Sequence, residues 1–307
     1  MRLKARALIL ALLLPLAAAP SSAQKAPQPK MGGQSVPLVA SDGWKITARY
    51  QPPQDNGKVL LFIHSAGKSK DEWAALAGRI SRLGYGYLAL DLRGHGESLY
   101  DAGGSSTSYR NFDKKGTTNE FNQMTRDIEA AIDYLAEQQI GEDRIILAGS
   151  GLGANLAVRA AAVCPSVPMM LLIGPTLNAA RDVLTVNPLR AYGKRQVLII
   201  VAQQPKRIYD ESVLLKAVAQ LAAGQENVTF ISEYKGMGTE LLNYNTIPRI
   251  LQWLRTPAKP PEVEVSTYTV TGSTEPAVPG DIEALPEEIP VADDEDAKAA
   301  NLLDTED

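Results

Sequence analysis

Six continuous apolar runs lie at intervals through the middle of the chain, each bounded by polar or turn-forming residues. They are Val59–Ile63, Tyr87–Leu90, Ile145–Leu147, Met169–Ile173, Val197–Val201 and Val228–Ile231. Runs of three to five apolar residues without alternation are typical of parallel strands covered on both faces. Two earlier segments, Val36–Ala40 and Trp44–Tyr50, predict a short antiparallel entry to the same sheet.

The segments between these runs have helical spacing. In residues 120–139, apolar side chains recur every three or four positions and form one stripe, at Phe121, Met124, Ile128, Ile132 and Leu135. Residues 71–83, 210–223 and 239–254 are also predicted to be helical. Alternation of strands and helices predicts a three-layer α/β/α sandwich with a mostly parallel sheet of about eight strands. No large lid is expected, because only about 20 residues separate Ile173 from Val197.

The two ends differ in composition from this body. Residues 1–23 combine three basic residues, an apolar stretch from Ala7 to Ala19 and small residues up to Ala23, which is typical of a cleaved secretory signal. Residues 24–35 are interpreted as a linker, and residues 36–256 as the single folded domain. Residues 257–307 contain 14 acidic residues, two lysines and seven prolines, which predicts a disordered acidic tail. A secreted or periplasmic protein is therefore expected, with membrane attachment only if the signal stays uncleaved.

The charge distribution bears on the possible binding partners, and the cysteine count bears on how the fold is stabilised. The net charge is −4 for the whole chain and −12 for the tail, so residues 1–256 carry about +8. No basic cluster with interleaved aromatic residues accompanies this charge, so a nucleic-acid partner is not expected. Cys164 is the single cysteine, which excludes an internal disulfide and leaves stability to packing.

The stretch AGSGLGAN, residues 148–155, follows one apolar run and precedes a helical segment. A glycine-rich turn in that place fits either a dinucleotide loop or a nucleophile elbow. The dinucleotide loop requires a carboxylate at the end of the next strand to hold the ribose. That strand ends Ile173-Gly-Pro-Thr176, so the elbow is favoured. No cofactor and no metal site are predicted.

Three further stretches carry a resemblance. Leu61–Gly67, Asp91-Leu-Arg-Gly-His-Gly-Glu-Ser98 and Asp143–Gly149 occur in the order and spacing found in α/β-hydrolases. The chain resembles that superfamily, and within it the compact dienelactone-hydrolase and esterase branch, over nearly all of residues 36–256. The resemblance implies an oxyanion-type site around Ser65 and Leu152, with His64 and His95 shaping the pocket.

The same resemblance implies that all three catalytic positions are empty. Gly151 stands where the family has its nucleophilic serine, and Met237 stands where it has its histidine base. The loop that carries the catalytic acid in the family reads Ala202-Gln-Gln-Pro-Lys-Arg-Ile208 here. It contains no carboxylate, and Pro205 stands at the position matched to the acid. A thioether accepts no proton, so general-base catalysis from position 237 is excluded.

Two functional hypotheses follow. The first is an exported, catalytically inactive pseudoenzyme with a binding or scaffolding role, whose former active-site cleft holds a small apolar ligand or a protein partner. The alternative is a carboxylic-ester hydrolase with a rearranged site, in which Ser150 acts with His64 or His95. Ser150 is expected to pack sideways against the sheet, because adjacent residues on a sharp turn point in different directions.

Overall fold

The computed structural model describes residues 30–114, 116, 118–180 and 182–257. The predicted signal segment 1–23 and the tail beyond residue 257 lie outside the described residues. The strands are β1 (Gln34–Val39), β2 (Lys45–Gln51), β3 (Val59–Ile63), β4 (Gly86–Leu90), β5 (Ile145–Ser150), β6 (Met169–Ile173), β7 (Asn178–Ala179), β8 (Val183–Leu184), β9 (Gln196–Ala202) and β10 (Val228–Glu233). The helices are α1 (Ala74–Ile80), α2 (Glu120–Gln123), α3 (Thr125–Glu137), α4 (Leu152–Val163), α5 (Val186–Ala191), α6 (Lys206–Ala223) and α7 (Thr246–Arg255).

Eight strands form one sheet in the order β1-β2-β4-β3-β5-β6-β9-β10. Strand β2 pairs antiparallel with both β1 and β4, and every other pairing in the sheet is parallel. The prediction of a mostly parallel eight-stranded sheet with an antiparallel entry is confirmed. Each of the six apolar runs is a strand of this sheet.

Alternate residues of the central strands supply two separate cores. On β3, Leu61 and its face pack with α3, α4 and α6, whereas Leu60 and Phe62 pack with α1 and α7 on the opposite side. All five residues of β3 are fully buried, which explains why its sequence shows no alternation. The three-layer α/β/α sandwich is therefore confirmed.

Several boundaries differ from the prediction. The domain begins before residue 36: Met31 is 5% exposed, and its N–H donates to Asp71 Oδ1 at 2.8 Å, so part of the predicted linker packs on the domain. The predicted helix 120–139 is two helices that meet at Met124. The predicted helix 239–254 is a 3₁₀ turn, Gly238–Leu241, followed by α7.

The connection between β6 and β9 contains the short ribbon β7-β8 and the helix α5, and none of these was predicted. This connection contains no other helix or strand among the described residues, so it does not form the large lid that was also not expected from its length. None of the described helices is long and apolar enough to cross a membrane.

Candidate functional site: a cleft at the carboxyl edge of the sheet

The turn between β5 and α4 is a sharp strand-to-helix elbow centred on Gly151. Its backbone angles are φ 52° and ψ −117°, a combination that residues with a side chain adopt only under strain. The Gly151 N–H donates to the Ile173 carbonyl at 2.9 Å, which fixes the elbow to the end of β6. The glycine-rich stretch therefore has the elbow conformation that was favoured over the dinucleotide loop.

Gly153 allows the start of α4 to pack directly on the end of β3. A Cβ atom at position 153 would overlap the Ile63 carbonyl oxygen and would lie 2.6 Å from the His64 carbonyl oxygen. Both contacts are with backbone atoms, which cannot rotate away as a side chain can. A residue without a side chain is thus required for the elbow to sit this close to β3.

A cavity of about 410 Å³ lies beside the elbow. Gly151, Pro205 and Met237, the three positions matched to the missing catalytic groups, all line it. Its other lining residues are Ser65, Ala66, Lys68, Glu72, Leu152, Ile173, Gly174, Val201, Ala202, Gln204, Ile208, Gly236, Gly238, Thr239, Glu240 and Leu241. Positions separated by more than 80 residues of sequence are thus brought together at one site, as expected for an active-site cleft.

Ser150 lies beneath this cavity and is fully buried. Its hydroxyl is 2.8 Å from the hydroxyl of Ser65, and that serine lines the cavity whereas Ser150 does not. The side chain of Ser150 is thus enclosed behind Ser65 and does not itself reach the cavity. Its partner is a second hydroxyl that the sequence did not connect to it.

Neither histidine lines the cavity. The Leu92 N–H donates to His64 Nε2 at 3.0 Å, so the ring proton lies on Nδ1, which is 2.7 Å from the Ser65 carbonyl oxygen. Burial and the neighbouring His95 lower the pKa of His64 to about 3. With both ring nitrogens engaged in backbone hydrogen bonds, His64 has no free nitrogen to accept a proton from a serine.

His95 is also buried, at 2% exposure, and stacks on Tyr109 with ring centroids 4.1 Å apart. Its Nδ1 is 3.0 Å from the Arg93 carbonyl oxygen, and burial lowers its pKa. Among the described residues, neither histidine of the alternative hypothesis forms a hydrogen bond with Ser150. Of the residues predicted to form the oxyanion-type site, Ser65 and Leu152 line the cavity, while His64 and His95 support the turns behind it.

The Asp91–Ser98 turn is held by buried ion pairs rather than exposed for chemistry. Asp91 accepts from the Lys70 backbone N–H at 2.8 Å and from Lys70 Nζ at 2.5 Å. Arg93 donates from Nε and Nη2 to Asp127 Oδ1 at 2.9 and 2.7 Å, and its side chain is 1% exposed. These carboxylates and cations neutralise one another, so they fix the shape of the turn.

Glu72 is a cavity residue that the sequence analysis missed. It follows the loop after β3, and its Oε1 accepts the Ser65 backbone N–H at 2.7 Å. The Thr239 hydroxyl lies 3.4 Å from Oε2. Burial raises the pKa of Glu72 to about 7, which leaves it partly protonated near neutral pH.

This contact matters because the Ser65 N–H belongs to the turn that was predicted to donate to an oxyanion. That donor is already satisfied by a carboxylate of the protein itself. Within the described residues, no group of three histidine, cysteine, aspartate or glutamate side chains is placed to hold a metal ion. The cleft therefore offers two carboxyls, one ammonium group, two hydroxyls and apolar walls.

An eight-stranded sheet of this order, with an elbow after β5 and a cleft at its carboxyl edge, defines an α/β-hydrolase-fold protein. The family described as serine aminopeptidase, S33, matches residues 54–235. The chain belongs to this family of α/β-hydrolases. The predicted resemblance is thus confirmed.

Individual relatives agree with this assignment. Protein phosphatase methylesterase 1 of Bos taurus is 30% identical over 149 residues, which is 48% of this chain and 35% of the bovine protein. The protein of the same name from Mus musculus matches to the same extent. The chain thus spans about a third of the length of these curated relatives.

Solved structures share the fold at lower identity. An esterase from Pyrococcus furiosus superposes with a TM-score of 0.57 and 14% identity, covering 74% of this chain and 96% of that one. Dienelactone hydrolase from Anabaena variabilis gives a TM-score of 0.55 with 16% identity, covering 74% and 95%. The esterase Est1E from Butyrivibrio proteoclasticus, solved with ferulic acid, gives 0.54 with 16% identity, covering 71% and 99%.

Proposed function

We propose that this α/β-hydrolase-fold protein does not hydrolyse esters or peptides and instead binds a small, largely apolar ligand in its cleft. The observation that carries the proposal is the meeting of Gly151, Pro205 and Met237 at one cavity. None of these three side chains can attack a carbonyl, accept a proton or orient a base.

The expected loss of rate is large. Removing the serine or the histidine of a catalytic triad costs on the order of 10⁶ in rate, and removing the remaining members adds little. The rate enhancement that remains, roughly 10³-fold over the reaction in water, comes from the oxyanion hole and from substrate binding. Here one oxyanion donor, the Ser65 N–H, is already occupied by Glu72 at 2.7 Å, so part of that remainder is lost as well.

Binding needs none of the missing groups. A cavity of about 410 Å³ falls in the size range of small-molecule sites, which are typically apolar with a few placed polar groups. Ile173, Val201, Ile208 and Leu241 supply apolar walls. Esterase and methylesterase activity are named for the relatives, and an ester-like or other small apolar molecule suits the shape of this cleft.

A second candidate is a carboxylic-ester hydrolase with a rearranged site using Ser150. The observation that favours it is the 2.8 Å contact between the Ser150 and Ser65 hydroxyls, since Ser65 faces the cavity. The hydrolase family to which the chain belongs also favours it. Without a histidine at the cavity, this candidate would need Glu72 as its base.

A fluorophosphonate probe that labels activated serines separates the two candidates. For a non-hydrolysing protein we expect no covalent label on the native chain and no p-nitrophenyl butyrate hydrolysis above that of the Ser150→Ala and Ser65→Ala variants. Labelling of the native chain that disappears in Ser150→Ala would overturn the proposal and establish the second candidate. Heat-unfolded protein controls for labelling of unactivated hydroxyls.

We further propose that the protein is exported, with its acidic tail contacting other components of the cell envelope. The supporting observations are the signal-like pattern of residues 1–23 and the net charge of −12 on residues 257–307. N-terminal sequencing of the protein recovered from the producing cells tests the export. A mature chain beginning near Gln24 is expected, and a chain retaining Met1 in the cytosol would contradict it.

A further inference from the structure

Glu72 is a largely buried carboxyl that lines the cleft and forms no ion pair with any of the described residues. Among the described residues, no lysine, arginine or histidine nitrogen lies within 4.0 Å of it. Its carboxylate oxygens accept hydrogen bonds from the Ser65 N–H at 2.7 Å and the Thr239 hydroxyl at 3.4 Å. Buried carboxylates in proteins are usually paired, and an unpaired one is costly to ionise. Lys68 lines the same cavity and favours ionisation of Glu72 from a greater distance, but it forms no ion pair with the carboxyl, so a direct cationic partner could be supplied by a ligand.

Hydroxyl oxygens lie at the same end of the cavity. The Ser65 and Ser150 hydroxyls are 2.8 Å apart, and the Thr239 hydroxyl contacts Glu72. A Cβ atom at Gly238 would lie 3.3 Å from Ser65 Oγ and 3.1 Å from Ser150 Oγ. Because glycine occupies that position, no side chain of residue 238 covers the Ser65 hydroxyl, whereas Ser150 stays fully buried. A bound group could thus reach both the carboxyl and hydroxyl oxygens.

The charged residues that line the cavity favour a cationic ligand over an anionic one. Lys68, Glu72 and Glu240 are the charged residues that line the cavity, which gives one positive and two carboxyl groups. Glu240 accepts the Met237 N–H at 3.2 Å and lies at the cleft mouth beside the exposed Met237 side chain. Away from this end, Ile173, Val201 and Ile208 provide only apolar surface.

We propose that the cleft binds a small amphipathic primary amine, with its ammonium group at Glu72 and its apolar body against Ile173, Val201 and Ile208. This inference rests on the proposed binding function and names the class of its ligand. An ammonium group has three N–H donors and no acceptor. The Glu72 carboxylate and the hydroxyl oxygens of Ser65 and Thr239 are acceptors that match those donors.

Other ligand chemistries match the site less well. A carboxylate ligand would meet the Glu72 carboxyl and would find the Ser65 N–H already occupied. An alcohol could bond to the same oxygens but would supply no charge to the buried carboxylate. Hydrogen bonds between ionised partners are about twice as strong as those between neutral ones, so the amine should bind more tightly than the alcohol.

Three probes of equal chain length test this inference by isothermal titration calorimetry: hexylamine, 1-hexanol and hexanoate. At pH 7.5 we expect hexylamine to bind about tenfold more tightly than hexanol, and hexanoate to bind most weakly. Glu72→Gln keeps the size of the side chain and an oxygen for the Ser65 N–H. In this variant the amine should lose about tenfold in affinity while hexanol changes less than about twofold.

Glu240→Gln is the comparison variant, because Glu240 lines the same cavity but is exposed and accepts the Met237 N–H. Because Glu240 is the more exposed of the two carboxyls in the cavity, this change should weaken amine binding less than Glu72→Gln does, and the amine should still bind more tightly than hexanol. Lys68 and Glu240 are the other charged residues that line the cleft with Glu72. The amine affinity of the native chain and of both variants is therefore measured from pH 5 to pH 8. Amine affinity should rise across this range in the native chain and in Glu240→Gln, and stay flat in Glu72→Gln, since only the ionised carboxyl pairs with ammonium.

The outcomes separate this inference from the proposed function. Hexanol and hexylamine binding equally well, with Glu72→Gln unchanged, would overturn the amine assignment and leave the apolar binding site standing. Tighter binding of hexanoate would also overturn it. Failure of all three probes to bind, or turnover of an ester by the native chain, would count against the binding function itself.

Discussion

Gly151→Ala is the most direct test of the elbow, because it adds a single carbon atom at the position matched to the missing nucleophile. At φ 52° and ψ −117°, any residue with a Cβ is strained, at a cost of about 1–3 kcal/mol. The new Cβ would meet Ser65 Oγ at 3.3 Å and no other atom as closely. That hydroxyl can shift slightly, so the backbone strain should account for most of the loss.

Two further glycines give reference values. Gly193 has φ 74° with nothing within 4 Å of an added Cβ, so Gly193→Ala should cost only about 1 kcal/mol of backbone strain. At Gly153 the added carbon would overlap the Ile63 carbonyl oxygen. Because β3 is buried on both faces and cannot retreat, Gly153→Ala should cost more than about 3 kcal/mol.

Urea unfolding followed by circular dichroism measures the three free-energy changes on one scale. The expected order of destabilisation is Gly153→Ala, then Gly151→Ala, then Gly193→Ala. In thermal unfolding, each 1 kcal/mol corresponds to roughly 2–4 °C for a domain of this size. If Gly151→Ala cost less than about 0.5 kcal/mol, residue 151 would not have the elbow conformation and the assignment of the cleft would fail.

Two other predictions concern charge. Arg93→Ala should destabilise the fold by about 3–5 kcal/mol in urea unfolding, because it leaves the fully buried Asp127 unpaired. Lys206→Ala breaks an exposed pair with Asp210 and should change the free energy of unfolding by less than about 0.5 kcal/mol. Equal effects of the two variants would contradict the structural role of Arg93. The pKa of Glu72 is raised from 4.5 to about 7, so the folded state binds more protons and stability should fall as pH rises through that window. Glu72→Gln should remove this part of the fall between pH 5 and pH 8, and an unchanged pH profile would show that Glu72 is not buried as described.

The strands were predictable because each central strand is buried on both faces and carries a continuous apolar run. Strands β7 and β8 contain only two residues each, too few for any periodicity to appear. The helical stripe of residues 120–139 was recognised, but its interruption at Met124 was not, since the apolar spacing continues across the break. The periodicity of apolar residues thus identified the sheet and the helices on its faces but missed the short elements that connect them.

Three residues of the candidate site could be located from the sequence, whereas Glu72 could not. Gly151, Pro205 and Met237 could be placed because each comes directly after a recognisable strand or turn. Glu72 lies in a polar stretch that looks like an ordinary solvated start of a helix. Its burial and its contact with the Ser65 N–H depend on the 3₁₀ turn Lys70–Trp73 and on Thr239, which is 167 residues away. No single-segment pattern contains that information.

The glycine at the elbow also has a consequence for the relation between stability and activity. An enzyme that keeps a serine in this backbone conformation must tolerate the strain permanently, because the reactive hydroxyl depends on it. At residue 151 the same conformation is adopted by a glycine, for which it costs little. Glycine at residue 151 therefore avoids about 1–3 kcal/mol of backbone strain that a serine in this conformation would cost. Gly151→Ser should therefore lower the stability of the fold even where its hydroxyl gained a reactive position.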